Sequence, residues 1–487
     1  MAGAFICQVS DTDWQISRIK GVYGNRKNKP DSREPLRRQD QLSVIRDLIA
    51  VRPGDLIFFH VIGGGSGIHG PYTPRTDPYY DDSIIWDNSK ETFPYRFMFK
   101  PFPGYELLCE TDMAIGVSNL YQAIEAREVW SIATLENERN IEKRAVRKIS
   151  LSDAQIVLNI FLREFKTNVG KALPINLTPV PSTLKHMRTQ IDNVGRYENA
   201  VKALFMDKLA DKHPSLVSIF PHCIDHVNET FVAPTTRKLI DILVVSSKNN
   251  GINHYYIVEA KNEKFGFEEL RQLMWYMDLF RQRLIFRPAI DNISACALAT
   301  VFDSDTVQFR NLHNTFSPYD PIILIQYKPT DQARDALFNI FAGTSSINMS
   351  AINITTTSPL PWGNLSPKDD IITNVSNDLP CYDSNKYLVR SLTSQPNSNS
   401  FVIEEKNKLL NNTISICYIF VWDKVFSSYA FLKFIETFYK NIAPLTSYNF
   451  RAIKPVIVSR GYEPDTLNYI TRYNALSIRR PISVFQW

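Results

Sequence analysis

Residues 238–262 read KLIDILVVSSKNNGINHYYIVEAKN. Two runs rich in Ile, Val and Tyr flank Asn249-Asn250-Gly251, a pattern that predicts two neighbouring strands joined by a hairpin turn. Asp241 stands in the first run, between Leu239-Ile240 and Ile242-Leu243. Glu259-Ala260-Lys261 closes the second. Residues i and i+2 of a strand share a face, so Glu259 and Lys261 point the same way and the hairpin can bring Asp241 beside them. Charges among such apolar neighbours are costly unless paired or metal-bound. Two carboxylates with a nearby backbone carbonyl make a hard oxygen site suited to Mg²⁺, with Mn²⁺ able to substitute. Such a metal polarises a phosphodiester and acidifies an attacking water, while Lys261 can orient that water or offset the charge developing on phosphate. Glu-x-Lys alone is a weak signal, common at solvated strand edges. The preceding Tyr255-Tyr256-Ile257-Val258 argues for a central strand instead.

Working outward, 197–212 (YENAVKALFMDKLADK) has a helical period, and 267–284 (FEELRQLMWYMDLFRQRL) is a strong helix. A buried strand over SACALATVF (294–302), a helix over DSDTVQFRNLH (303–313) and a strand over DPIILIQYK (320–328) follow. This order predicts an α/β unit with a mixed central sheet over 197–330. In that combination the segment resembles the PD-(D/E)XK nuclease superfamily, specifically its NucS-like and RecB-like members. The proline of the family's name is replaced here by Ile240. The resemblance implies that Asp241 and Glu259 are metal ligands and Lys261 the catalytic cation. It further implies that Gln272 (with Tyr276 on the same helix) is an orienting residue, and that Glu198, at the place of the family's first-helix acid, is an extra ligand.

The rest of the chain divides around this unit. Residues 1–145 alternate short apolar runs (AFICQV, GDLIFFHVIGGGSG, YRFMFKPFPG) with turn signals, predicting a small β-rich, barrel-like domain. Residues 146–196 read as a helix over 151–165, capped by Ser152, and then a proline-containing linker. Residues 343–400 are rich in Ser, Asn, Thr and Pro, and 331–400 read as a polar linker or insertion. Residues 401–487 echo the second half of the α/β unit: PIILIQY at 321–327 meets PISVFQW at 481–487, at an offset of 160 that also aligns Asp305-Thr306 with Asp465-Thr466. At an offset of 162, Tyr256-Ile257 meets Tyr418-Ile419, while Glu259 meets Val421 and Lys261 meets Asp423. The expectation is a degenerate second nuclease-like α/β unit without the cutting chemistry.

The N-terminal 135 residues resemble EVE domains of the PUA-like group. The matching pieces are Trp14 followed by Gly21-Val22-Tyr23-Gly24, VRPGDLIFFHV (51–61), GIHGPYTPRTDPYYDDSIIWD (67–87), FPYRFMFKP (93–101) and NLYQAIEAREVWSI (119–132). That resemblance implies a small barrel holding a modified base in an aromatic pocket. A flipped base needs stacking walls and polar groups on its edge. Trp14, Tyr80, Trp86 and Trp130 are candidate walls, and Asp81 and Asp82 candidate edge readers. Aromatics equally fill barrel cores.

Bulk properties set few limits. The 487 residues allow several domains, and a net charge of +5 is compatible with a polyanionic partner without arguing for one. The cysteines, Cys7, Cys109, Cys223, Cys296, Cys381 and Cys417, form no Cys-x-x-Cys, so neither a zinc knuckle nor a disulfide framework is expected. No apolar run is long enough for a membrane helix, and a cytoplasmic protein is expected. GGGSG (63–67) lacks the Gly-Lys-Ser/Thr of a phosphate loop, and His222-Cys223-Ile224-Asp225-His226 lacks the glutamate of a zinc-protease motif and reads as a surface loop. The reading is therefore an α/β and β-barrel multidomain protein acting as a modification-dependent DNA endonuclease of the restriction or phage-defence type, working on double-stranded DNA as a homodimer. The alternatives are a repair endonuclease for mismatched or damaged bases and a non-cleaving modified-nucleic-acid sensor.

Overall fold

The structure is a computed structural model. It describes residues 3–29, 34–63, 67–86, 92–116, 144–165, 175–231, 239–248, 252–280, 292–316, 321–343, 360–361, 387–395, 398–406, 413–427, 452–467 and 482–486, with 119–120, 123, 129, 131–132, 430–431, 434 and 470. The protein is a mixed α/β structure in which two sheets curl into half-barrels. Among the described residues no helix is long and apolar enough to cross a membrane.

The N-terminal sheet uses β1 (Ala4–Ser10), β2 (Val22–Asn25), β3 (Leu56–Ile62), β4 (Gly67–Pro74), β5 (Tyr79–Tyr80), β6 (Tyr95–Pro101), β7 (Ala114–Ile115), β8 (Val146–Ile149) and β9 (Lys185–His186). Their path is β8-β1-β3-β4-β6-β5-β9, with β2 on β6 and β7 on β4. Strand alternation explains the packing. Phe5, Cys7, Ile57 and Phe59 turn toward one core, while Ala4, Ile6 and Phe58 turn toward Ala154, Val157 and Phe161 of the helix Leu151–Phe165. Two segments expected outside this unit therefore belong to it. The helix 151–165 covers the sheet's outer face, and β8 and β9 extend its edges. The cap is also corrected: Ser150 Oγ, not Ser152, accepts the amide of Asp153, at 3.1 Å. In Gly21-Val22-Tyr23-Gly24, Gly21 ends the helix Asp11–Lys20 at φ 65°, and a Cβ on Gly24 would lie 2.6 Å from the Trp86 ring.

The central sheet runs β10 (Cys223–Phe231), β11 (Leu239–Lys248), β12 (Ile252–Ala260), β14 (Asn292–Ala299), β16 (Ile322–Thr330) and β17 (Asp335–Ile340) in that order; β13 (Lys264–Phe265) and β15 (Val301–Phe302) pair separately. The first three strands are antiparallel, β12, β14 and β16 are parallel, and β17 is antiparallel again. Ile242, Val244, Tyr256 and Val258 pack on the side of the helix Glu198–Ala210, in a core shared with the N-terminal unit. Leu243, Val245, Tyr255 and Ile257 pack on the side of the helices Phe267–Phe280 and Ser304–Phe316. Of the surface loop expected at 222–226, His222 is an exposed turn residue, while 223–226 begin β10. Asp225 and His226 are buried there, and Asp225 accepts the amide of Leu151 at 2.9 Å.

The third sheet runs β18 (Leu360–Pro361), β23 (Ser483–Gln486), β22 (Ala452–Tyr462), β21 (Thr413–Phe426), β20 (Ser398–Lys406) and β19 (Tyr387–Gln395). Its antiparallel β19-β20-β21 and parallel β21-β22-β23 repeat the directions of β10-β11-β12 and β12-β14-β16. Part of the segment expected as a linker, 331–400, thus carries strands: β17, β18 and β19. The Ser- and Asn-rich composition of 343–400 masked β18 and β19, because strand pairing satisfies the backbone whatever the side chains. Cys7, Cys109, Cys223 and Cys296 are free thiols.

Candidate functional site

Three elements deliver the acidic and basic side chains to one place. The antiparallel register pairs Ile242 with Val258. One step further along it, Asp241 lies across from Glu259. The backbone amide of Ala260 donates to Asp241 Oδ2 at 2.9 Å, which fixes that carboxylate against β12. Lys261 leaves the strand immediately afterward, its amide donating to Leu298 O at 2.8 Å. Its ammonium lies 2.7 Å from Glu259 Oε1 and 3.9 Å from Glu198 Oε2. Glu198 opens the helix Glu198–Ala210, so this helix start faces the ends of β11 and β12.

The helix Phe267–Phe280 supplies the fourth side. Gln272 Nε2 donates to Tyr276 Oη at 2.5 Å and lies 3.4 Å from Glu259 Oε1. Tyr327, from β16, donates to the carbonyls of Asn262 and Lys261 at 2.5 and 3.3 Å and so braces the turn after Lys261. The structure thus brings together Glu198, Asp241, Glu259, Lys261 and Gln272.

Two residues of this cluster escaped the sequence reading. Tyr327 carried no local signal. Lys202 did carry one: it stands four residues after Glu198 on a helix, the spacing of an i,i+4 ion pair. Its ammonium lies 2.6 Å from Glu198 Oε1 and 2.5 Å from Asp241 Oδ1.

The electrostatics are those of crowded, buried carboxylates. Glu259 is 4 % exposed. Burial, and then the negative charge of Asp241, push its pKa up to about 8, against the opposing pull of Lys261 and Lys202. Tyr276 is pushed up to about 12, first by burial and then by Glu259. The same carboxylates raise Lys261 above its ordinary value, overcoming its desolvation. Among the described residues, no three His, Cys, Asp or Glu side chains are arranged as a ready metal-ligand group. Lysines stand between the acids instead. The donor chemistry still suits a hard divalent cation: oxygen ligands, mutually repelling, with one of them buried.

The candidate base-reading residues lie apart from this cluster. Trp14 is 1 % exposed, its Nε1 donates to Asp112 Oδ1 at 3.1 Å, and its ring packs on Phe59, His69 and Tyr72. Trp86 is 2 % exposed, belongs to a different apolar cluster, and donates to Ser17 Oγ at 3.0 Å. Both are core side chains in this structure. Tyr80 is half-buried. Its hydroxyl accepts from Lys27 Nζ at 2.7 Å and donates to Asp82 Oδ1 at 2.9 Å, and its ring packs edge-on to Tyr95. Asp81 meets Arg96 Nη1 at 2.9 Å. Burial would raise its pKa, but hydrogen bonds from Ser83 and the Arg96 charge hold it below the ordinary range. Asp82 is exposed, and Trp130 lies outside the described residues.

No protein-family model matches the chain, and no curated protein matches it.

Proposed function

We propose that this protein is a Mg²⁺-dependent DNA endonuclease of the PD-(D/E)XK type, directed to a modified base by an EVE-like N-terminal barrel. The observation that carries this reading is the meeting of Asp241, Glu259 and Lys261 at the ends of paired strands, with Glu198 and Gln272 facing them from two helices. Asp241, Glu259 and Glu198 would hold the cation. Once bound, it would supply Lewis-acid activation of the phosphodiester and of an attacking water. Lys261 places a positive charge where negative charge grows on phosphate. Gln272 and Tyr276 orient Glu259, and the Ala260 amide orients Asp241. In the N-terminal unit, half-buried Tyr80, whose ring is approached by the Lys27 and Lys185 ammonium groups at 5.2 and 5.5 Å, would be the stacking wall for a flipped base, with Asp81 and Asp82 as edge readers.

The C-terminal sheet repeats the strand directions of the central one over five strands, and at the sequence offset of 162 Val421 aligns with Glu259. This supports a degenerate copy used for dimerisation or DNA contact. Cutting both strands calls for two centres, hence a homodimer. A cytoplasmic restriction or phage-defence role follows from that substrate. The test is digestion of matched duplexes, unmodified, methylated, hydroxymethylated and glucosylated, with and without Mg²⁺. Mg²⁺-dependent cutting of a modified duplex alone is the expected result. Preference for a mismatched or damaged duplex would move the assignment to repair, and binding without cutting would make the protein a sensor.

A further inference from the structure

Lys202 is the part of the cluster that the nuclease reading leaves unused. It is 4 % exposed on the helix Glu198–Ala210. Its ammonium bridges Glu198 Oε1 at 2.6 Å and Asp241 Oδ1 at 2.5 Å. Asp241's other oxygen is already engaged by the Ala260 amide at 2.9 Å. Glu198's other oxygen faces Lys261 at 3.9 Å, and Lys261 itself sits on Glu259 at 2.7 Å. Three carboxylates are thus interleaved with two ammonium groups. A buried ammonium repels a second cation strongly, because little water screens it. An ammonium held by two carboxylates occupies the lone pairs a divalent cation needs.

We propose that Lys202 is the resident counter-charge of this centre: it keeps Glu198 and Asp241 converged before a divalent cation arrives and competes with that cation for both carboxylates, setting the concentration at which the centre loads. This rests on the metal-dependent nuclease reading above. It makes Lys202 a positioning residue. Removing the ammonium while keeping the stem removes the competitor, so Lys202→Met and Lys202→Gln should bind Mg²⁺ about tenfold or more tightly, equivalent to roughly 1.4 kcal/mol. Lys202→Arg keeps the charge and should bind no more tightly than wild type. Without metal, the Met and Gln variants should melt lower than wild type, because the carboxylates lose their partner. Saturating Mg²⁺ should close that gap.

The experiment is calorimetric titration of Mg²⁺ into the full chain, these three variants and Glu259→Ala, without DNA and at mildly alkaline pH, alongside thermal unfolding with and without Mg²⁺. Lys202→Gln serves if Lys202→Met does not fold, and Lys202→Arg controls for charge. Affinities in the Met and Gln variants equal to or weaker than wild type would overturn the role of Lys202 while leaving the nuclease reading standing. Absence of Mg²⁺ binding in every protein, with Glu259→Ala indistinguishable from wild type, would overturn the metal centre itself and the proposal with it.

Discussion

The amide of Ala260 donates to the carboxylate of Asp241 at 2.9 Å, so the strand that carries Glu259 also fixes the side chain of its neighbour. A main-chain bond of this kind survives most side-chain substitutions. The geometry of Asp241 should therefore persist when Glu259 or Lys261 is changed, and losses in those variants report on chemistry.

Glu259→Ala and Lys261→Ala should each lower cleavage by at least about a hundredfold, the scale seen when one electrostatic participant is removed. Affinity for the same duplex should change little, because phosphate contacts elsewhere supply most of it. Cleavage kinetics together with a binding titration check this. Near wild-type cutting by either variant would move the active site elsewhere.

Buried ion pairs accompany the shared apolar core at the junction between the N-terminal unit and the central sheet. Arg46, on the helix Arg38–Leu48, pairs with Glu229 of β10 and with Asp47 at 2.9 Å, and donates to Asn199 at 2.8 Å, next to Glu198. Arg144 also pairs with Glu229. Arg46→Met should cost about 3 kcal/mol of unfolding free energy, because it leaves buried carboxylates short of a partner. Denaturant unfolding measures this; a change under about 0.5 kcal/mol, the scale of a surface substitution, would show that the pair contributes nothing.

Asp225, on β10, faces Lys148 and Asp55 across the same junction and accepts the amides of Leu151 and His226 at 2.9 and 2.8 Å. Burial pushes its pKa up to about 6, against the pull of Lys148. A carboxyl raised in the folded state stabilises fully below its ordinary pKa and loses that contribution as pH rises through the folded value. Asp225→Asn removes this titration. The stability gap between wild type and variant should therefore narrow by up to about 3 kcal/mol between pH 4 and pH 7. Buried His226, whose pKa burial lowers well below its ordinary value, is present in both proteins. Unfolding curves at several pH values test this, and a gap independent of pH would contradict it.

Tyr80→Ala should weaken binding to the modified duplex ten- to a hundredfold, from the loss of about 1–3 kcal/mol of stacking. Unmodified duplex should bind as before. Titration of the full chain with duplexes differing in one base decides it; an equal loss on both would assign Tyr80 a structural role through Lys27 and Asp82.

What was legible in the sequence was local. The paired strands, Asp241 within the first and Glu259-Ala260-Lys261 closing the second follow from side-chain period and turn chemistry, because a hairpin places near neighbours in space. The helices at 267–280 and 304–316 follow from their apolar period, whereas the helix 198–210 is buried on nearly every face. Only the tertiary structure decided the remainder. Lys202 looks like one half of a surface i,i+4 pair until the helix packs against the sheet and buries it against Asp241. Trp14 and Trp86 have the composition of pocket walls, yet helix and sheet close over them. The helix 151–165 reads as an element of its own and β9 as linker until packing lays the helix on the N-terminal sheet and long-range pairing adds β8 and β9 to its edges. Each of these depends on contacts between residues tens of positions apart, and periodicity within a short window carries no information about which surface will meet it.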